Sequence, residues 1–428
     1  MPSATPLPRG PSVLVLDNAA DLLTRAGCPV CRYAAEASDR HLGWFALEAH
    51  ADPVTITRLC ATLGMCPRHT RALMSQPGAA SRLTPVYRYL IEAARQQLAG
   101  PAARPAALAP CPACEHDEAA AGRALDTLLE GLEEPGIRER YLELGGLCVP
   151  HLRAAARVRG RRRALAWLAQ TLNLGTSTRP PSLEMLAGGP DRDADQRAML
   201  RAALPPAGHS PPGACPVCLA AARSEGEALA RPPGSGDGRQ PACAAGGEPG
   251  HRFCLCGAHV RDAVLAGRDR AGALLAGQAD CQATSLPLLL SSSARRGGNP
   301  AGWLRRRHSR PGDAGECPVC RARAACVRRE LDRCLTQLRA PLPARGGEQT
   351  LCVRHVLALR RADPAAARVA ALAAAEHAGA LTGELAEAFR KGTWAHRHEA
   401  RGRESGAWRR AAAFLDGGVF GGCPPGER

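Results

Sequence analysis

Residues 111–151, CPACEHDEAAAGRALDTLLEGLEEPGIRERYLELGGLCVPH, open on Cys-x-x-Cys and close on Cys-x-x-His. Cys111 and Cys114 on one turn bring two thiolates to one tetrahedral ion, Pro112 stiffens the turn, and Cys148 with His151 supply a third sulfur and an imidazole. A closed Cys3His set of this kind is structural, because a catalytic zinc keeps one position open for water. Between the ligands, Leu125, Leu128, Leu129 and Leu132 recur at i, i+3, i+4 and i+7, one face of a helix leaving Cys114.

The same pattern occurs three more times. Cys28 and Cys31 are followed by Cys66 and His69, Cys215 and Cys218 by Cys256 and His259, and Cys317 and Cys320 by Cys352 and His355. The four separations between half-sites are 34, 33, 37 and 31 residues, and Met65, Leu147, Leu255 or Leu351 precedes each final cysteine. The regular spacing predicts that each Cys-x-x-Cys closes on the Cys-x-x-His that follows it, giving up to four structural Zn²⁺. Iron also accepts Cys3His, but separated closed tetrahedral sets favour zinc. A thioredoxin-like reading needs a strand before the motif and has no use for a distant Cys-x-x-His.

A second helix in each module starts at a proline. Asp52-Pro53 and Glu134-Pro135 place an acid and a proline at a helix start, each proline stands 13 residues before the next cysteine, and Gly64 and Gly146 end the helix. A third helix follows the Cys-x-x-His, as in Leu165, Leu168 and Leu172 or Leu381, Leu385 and Phe389. No stretch alternates in the manner of a strand. The fold class expected is therefore all-α, an array of small helical modules each organised around a Cys3His zinc site with both half-sites at helix N-termini. The positive ends of those helices stabilise a site that three thiolates leave near −1.

Ala/Pro-rich 99–110, Gly/Pro/Ser/Asp-rich 175–195 and Ser/Gly/Arg-rich 291–302 read as linkers. They divide the chain into module one (1–100), module two (101–205), module three (206–300) and module four with a basic tail (301–428). Module three is degenerate: the Pro/Gly-rich insertion 231–250 stands where the middle helix belongs, and 341–348 holds that place in module four. Of the seven other cysteines (60, 243, 254, 281, 326, 334, 423), Cys254 competes as a ligand of the third set, and the rest read as small hydrophobes or ordinary thiols. His396 and His398 form a small cluster able to take adventitious metal.

Across 428 residues, 45% are apolar, 22% charged and only 3% aromatic, so the cores must be built of Leu, Ala and Val. Residues 1–10 are Pro-rich and Val13–Leu16 is too short for a signal-peptide core; the best apolar run, Leu286–Leu290, is far short of a membrane span. The expected compartment is the cytoplasm, where nineteen cysteines point to metal before disulfides. The net charge of +16 is concentrated in residues 301–428, with 23 Arg plus Lys against 13 acids. Only one of the 56 basic residues is a lysine, the imprint of a GC-rich coding sequence, which lowers the weight of that basicity.

CPVC or CPAC, EEPGIRERYLELGGLCVPH and the closing stretch ELAEAFRKGTWAHRHEARGRESGAWRRAAAFLDGG (384–418) resemble an uncharacterised bacterial family, a domain of unknown function with repeated Cys-Pro-x-Cys and Leu-Cys-x-x-His motifs and a terminal Trp-containing helix. The resemblance covers modules one, two and four with the tail, implies a helical protein and implies no activity. In the tail, Trp408, Ala412 and Leu415 share a face with Trp394 upstream, and packing on module four with both Trp buried is the expectation.

No Gly-rich phosphate loop, His-Glu-x-x-His helix or Ser-centred elbow is present, so no catalytic residue is assigned. The leading reading is a non-enzymatic scaffold with a protein partner and no membrane. A nucleic-acid-binding regulator is the alternative, resting on Arg157, Arg159 and Arg161–Arg163, on Arg305–Arg307 and on the tail from Arg390. A zinc-thiolate redox sensor is the third reading.

Overall fold

The computed structural model describes residues 11–76, 78–100, 108–173, 186, 198, 215–230, 255–266, 286–294, 317–339 and 351–417. Among them the structure is helical and contains no strand. Chain order begins with α1 (Val13–Leu22), α2 (Pro29–Leu47), α3 (Pro53–Thr62), α4 (Pro67–Met74) and α5 (Ala79–Ala99). Then come α6 (Pro112–Gly131), α7 (Pro135–Glu143), α8 (Val149–Ala155), α9 (Arg162–Asn173), α10 (Pro216–Ala230) and α11 (Gly257–Ala266). The chain closes with α12 (Pro318–Arg339), α13 (Val353–Ala362), α14 (Arg368–Gly392) and α15 (Ala407–Asp416).

Every half-site starts a helix, as the sequence predicts. The first cysteine sits immediately before the first helical residue of α2, α4, α6, α8, α10, α11, α12 and α13. Its carbonyl takes the first helical hydrogen bond, seen at Cys28, Cys66, Cys111, Cys148, Cys215, Cys256 and Cys352. Proline at the first helical position has no N–H to lose there and a preset φ, which is why Cys-Pro recurs. The capping cysteines Cys66, Cys148 and Cys352 have extended backbones and do not cap with the side chain, so the sulfur is free to serve the site.

The proline-started helices also form. Asp52 accepts a 2.8 Å bond from the Thr55 amide, capping α3, and the helix ends through left-handed Leu63 (φ 51°) and Gly64 (φ 92°). After α7, Gly146 (φ 68°) lets the chain turn beneath Tyr141, whose hydroxyl accepts a 2.9 Å bond from the Leu147 amide. A Cβ on Gly146 would meet the Tyr141 ring at 2.8 Å.

The chain divides into two compact units. One is drawn from Met1–Ala37, Asp117–Arg192 and Pro232–Cys317, the other from Ser38–His116, Asp193–Arg231 and Pro318–Arg428. The core of the first gathers Ala19, Val30, the predicted stripe Leu125, Leu128, Leu129 and Leu132, and Leu152, Leu165 and Leu168. Here α1, for which the sequence reading had no role, lies so close to α6 that a Cβ on Gly131 would come within 2.5 Å of the Ala19 Cβ. Residues 286–294 are one helical segment whose Leu286 and Leu290 enter the same core, so 291–294 are not linker.

In the second unit, α5 packs along α14, α15 lies against both, and α10 pairs with α12. Leu381 and Leu385 are buried but Phe389 is 48% exposed, so the predicted stripe of α14 ends one turn early. Trp408, Ala412 and Leu415 are buried as expected, against α5 as well as module-four helices. Trp394 corrects the expectation: it is 75% exposed in a single 3-10 turn, with the Arg397 guanidinium 3.0 Å from its ring centroid. No described helix is long and apolar enough to cross a membrane. The insertion 231–250, the stretch 341–348, most of the linkers, Arg305–Arg307, and Cys243, Cys254, Cys281 and Cys423 lie outside the described residues.

Candidate metal centres

The sixteen predicted ligands assemble into four Cys3His groups, but not with their sequence neighbours. Cys28 and Cys31 meet Cys148 and His151; Cys66 and His69 meet Cys111 and Cys114; Cys215 and Cys218 meet Cys352 and His355; Cys256 and His259 meet Cys317 and Cys320. In each half of the chain one site is nested within another. The expectation that each Cys-x-x-Cys closes on the next Cys-x-x-His is therefore corrected.

Helix length gives the physical reason. At about 1.5 Å per residue, the 19 residues of α2 carry the chain roughly 28 Å from Cys28, and the 10 residues of α3 return roughly 15 Å. The connectors are wound into a 3-10 turn at Ala49–Ala51 and a left-handed turn at Leu63 and Gly64, so they add little reach. The 20 residues of α6 and the 9 of α7 repeat the mismatch. α2 and α6 therefore deliver the following Cys-x-x-His away from their own starts, where another Cys-x-x-Cys completes it.

The donor separations fit the edges of a tetrahedron. Metal–sulfur bonds near 2.3 Å and metal–nitrogen bonds near 2.0–2.1 Å imply tetrahedron edges of about 3.8 Å between sulfurs and about 3.5 Å between sulfur and nitrogen. Cys31 and Cys148 sulfurs are 3.6 Å apart, Cys66 and Cys114 3.6 Å, and Cys218 and Cys352 3.9 Å. In every group the imidazole turns Nδ1 to the sulfurs: His151 lies 3.4 Å from Cys28 and 3.2 Å from Cys31, and His69 3.6 Å from Cys111 and 3.5 Å from Cys114. His355 stands 3.3 Å from Cys215, and His259 3.3 Å from Cys317. These separations are far above the 2.05 Å of a disulfide.

Electrostatics asks for a cation in the same places. In the Cys28 group, hydrogen bonds from the Cys148 and Cys31 thiols pull the Cys28 thiol far below its ordinary range, while Cys148, hydrogen-bonded to Cys28 and Cys31 and buried, is pushed far up. Burial draws the His151 imidazole down, yet its bonds to Cys28 and Cys31 and their charge prevail and lift it to about 10. The Cys215 group behaves alike: Cys218 is pushed up by its bonds to Cys215 and Cys352, and His355 rises against its burial. Without a cation the Cys148, Cys218 and Cys352 thiolates are suppressed; a divalent ion favours the deprotonated ligands. The donor set, its edges and its charge thus fit a tetrahedral thiophilic ion.

Three of the sites, those of Cys28, Cys66 and Cys215, are built into apolar cores. All four ligands of the Cys66 group are buried, and the Cys66 amide donates a 3.3 Å bond to the Cys111 sulfur. Beside the Cys28 group, Tyr141 meets Trp167 edge-on at 5.6 Å between ring centroids, and burial raises its phenol far above the ordinary range. Over the Cys215 group lies a residue that sequence reasoning missed. Gly417 (φ 81°), which ends α15, is so close that a Cβ there would stand 2.3 Å from the Cys218 sulfur and 3.5 Å from that of Cys352. The tail sequence Leu-Asp-Gly-Gly was its only sequence signal.

Cys326 is buried, and Cys60 and Cys334 are half-buried with thiols raised by burial, as small hydrophobes should be. His396 is engaged by Glu399 at 2.9 Å, and among the described residues His396 and His398 join no metal group. No protein-family model, curated protein or solved structure matches the chain.

Proposed function

We propose that this protein is a non-enzymatic helical scaffold held together by four structural Zn²⁺, with a protein as its partner. The observation that carries the reading is the completeness of the donor sets: each of the four groups offers three sulfurs and one nitrogen, the full complement of a closed tetrahedral site. A site filled by four protein donors has no position at which to activate water, so the ion's work is to hold helix N-termini together. With only 3% aromatic residues, the chain uses metal where a larger protein core would use rings.

Exposed apolar groups in the tail region support a protein partner. Phe389 is 48% exposed and Trp394 75%, and aromatic groups are enriched where proteins meet. Native mass spectrometry of untagged protein tests the metal reading, with four zinc ions per chain expected. Fewer than two, or another metal in stoichiometric amount, overturns it.

A further inference from the structure

We propose that the corner between α8 and α9 is a contact surface for the phosphate backbone of a nucleic-acid duplex. Residues 153–163 read RAAARVRGRRR, six arginines in eleven positions with no acid. They form the turn where α8 ends and α9 begins, with Gly160 (φ 83°) at its apex facing open space. Arg157, Arg159 and Arg161 line an open cavity of about 520 Å³ together with one acid, Asp126.

Four cations of the basic tail are, by contrast, engaged by acids. In the tail, Arg390 is held by Glu387 and Glu399, Lys391 by Glu404 at 3.0 Å, and Arg403 and Arg410 both by Glu384. Those cations are neutralised within the fold. At the corner Arg161 is paired with Glu130 at 2.6 Å, but among the described residues Arg157, Arg162 and Arg163 take part in no ion pair. Arg162 and Arg163 also stand in the first turn of α9, where the helix's own field disfavours cations. Unpaired like charges collected against that field are relieved by an external polyanion.

Backbone phosphate is favoured over an unpaired strand. Single strands are held by bases stacked on open aromatic faces, whereas no aromatic residue lines this cavity. The aromatic residue of α9, Trp167, is half-buried, with Arg138 over its ring at 5.4 Å and Tyr141 at its edge. Contact to phosphates alone is independent of base sequence and falls steeply with salt.

The test uses the full zinc-loaded chain and fluorescence anisotropy with a labelled mixed-sequence DNA duplex of about 24 base pairs. Binding should weaken with salt, and Arg157→Gln/Arg162→Gln/Arg163→Gln should lose at least about tenfold in affinity and about 2–3 in the slope of log K against log salt. A charge-matched control, Arg328→Gln/Arg329→Gln/Arg401→Gln, should change the slope by less than half as much.

Equal losses in the two variants would reduce the effect to net charge and overturn the proposal, as would no binding at low salt. Tighter binding to an unpaired strand, or equally tight binding to an acidic peptide, would overturn the choice of ligand. Should the triple variant misfold, protection of the 153–163 arginines from phenylglyoxal by duplex on the wild-type chain decides, and absence of protection overturns the assignment. Zinc content, measured alongside, keeps failure here separate from failure of the scaffold reading.

Discussion

The Arg360 guanidinium donates to the carbonyl of Gln97 at 2.5 Å, across 263 residues of sequence, and its remaining N–H groups reach Leu98 at 3.2 Å and Gly100 at 3.0 Å. It is only 4% exposed. Carbonyls left over at the end of α5 thus find a buried cation on α13, which suits the negative end of a helix. Replacing Arg360 by Met leaves these acceptors unsatisfied and should destabilise the second unit by about 2–4 kcal/mol. Urea unfolding followed by circular dichroism measures it. A loss below about 0.5 kcal/mol would mean that water takes over the carbonyls.

The nested pairing predicts which thiol is orphaned when a half-site is removed. Cys28→Ser/Cys31→Ser should release one metal ion and expose Cys148, the third sulfur of that group, to alkylation, while Cys66 stays protected by Cys111 and Cys114. Mass-spectrometric mapping of the labelled thiols distinguishes the cases. Labelling of Cys66 in place of Cys148 would restore pairing between sequence neighbours.

Gly417→Ala places a methyl group 2.3 Å from the Cys218 sulfur at a backbone angle that L side chains avoid. Metal should leave the Cys215 group at least about tenfold faster under chelator, with Cys218 and Cys352 labelling first and the other three groups unchanged. An unaltered release profile would show that the end of α15 does not shield the site.

The tail carries a pH signature. A backbone bond from Gly402, aided by Lys391, holds the Glu404 carboxyl down to about 2, and Arg390, aided by His396, does the same for Glu399. A carboxylate depressed on folding stabilises fully above its ordinary value and stops doing so as pH falls through the folded one. Glu404→Gln should therefore speed hydrogen exchange over 402–416 at pH 7, and the difference from wild type should vanish near pH 2. A difference that persists there would assign Glu404 a role other than charge.

The half-sites, the helix starts at Pro53 and Pro135 and the turns at Gly64 and Gly146 were legible because each is local: a capping residue, a fixed φ or a left-handed turn within a few positions. Partner choice was not, since closing the 116 residues between Cys31 and Cys148 costs only about 1 kcal/mol more in loop entropy than closing the 34 residues between Cys31 and Cys66. The decisive quantity, the disparity between a 19-residue helix out and a 10-residue helix back, requires both boundaries of each. Arg360 and Gly417 act on residues far away in sequence, so no window of sequence displays them. The tail's charge misled similarly: Glu387 beside Arg390 is visible at i, i+3, but Glu384 meets Arg410 across 26 residues.

The nested sites also set a timetable for synthesis. Cys28, Cys31, Cys66 and His69 are the first complete Cys3His complement to leave the ribosome, yet they belong to two different groups in the finished fold. The rightful partner of Cys66 and His69 begins at Cys111, 42 residues after His69, which at roughly 5–20 residues per second is a delay of about 2–8 s. Throughout that interval the nascent chain offers a metal ion a well-stocked but foreign set of ligands. An ion captured then must change hands before either native site can close, so abundant free metal ion during translation should slow maturation, and a sparing supply should speed it.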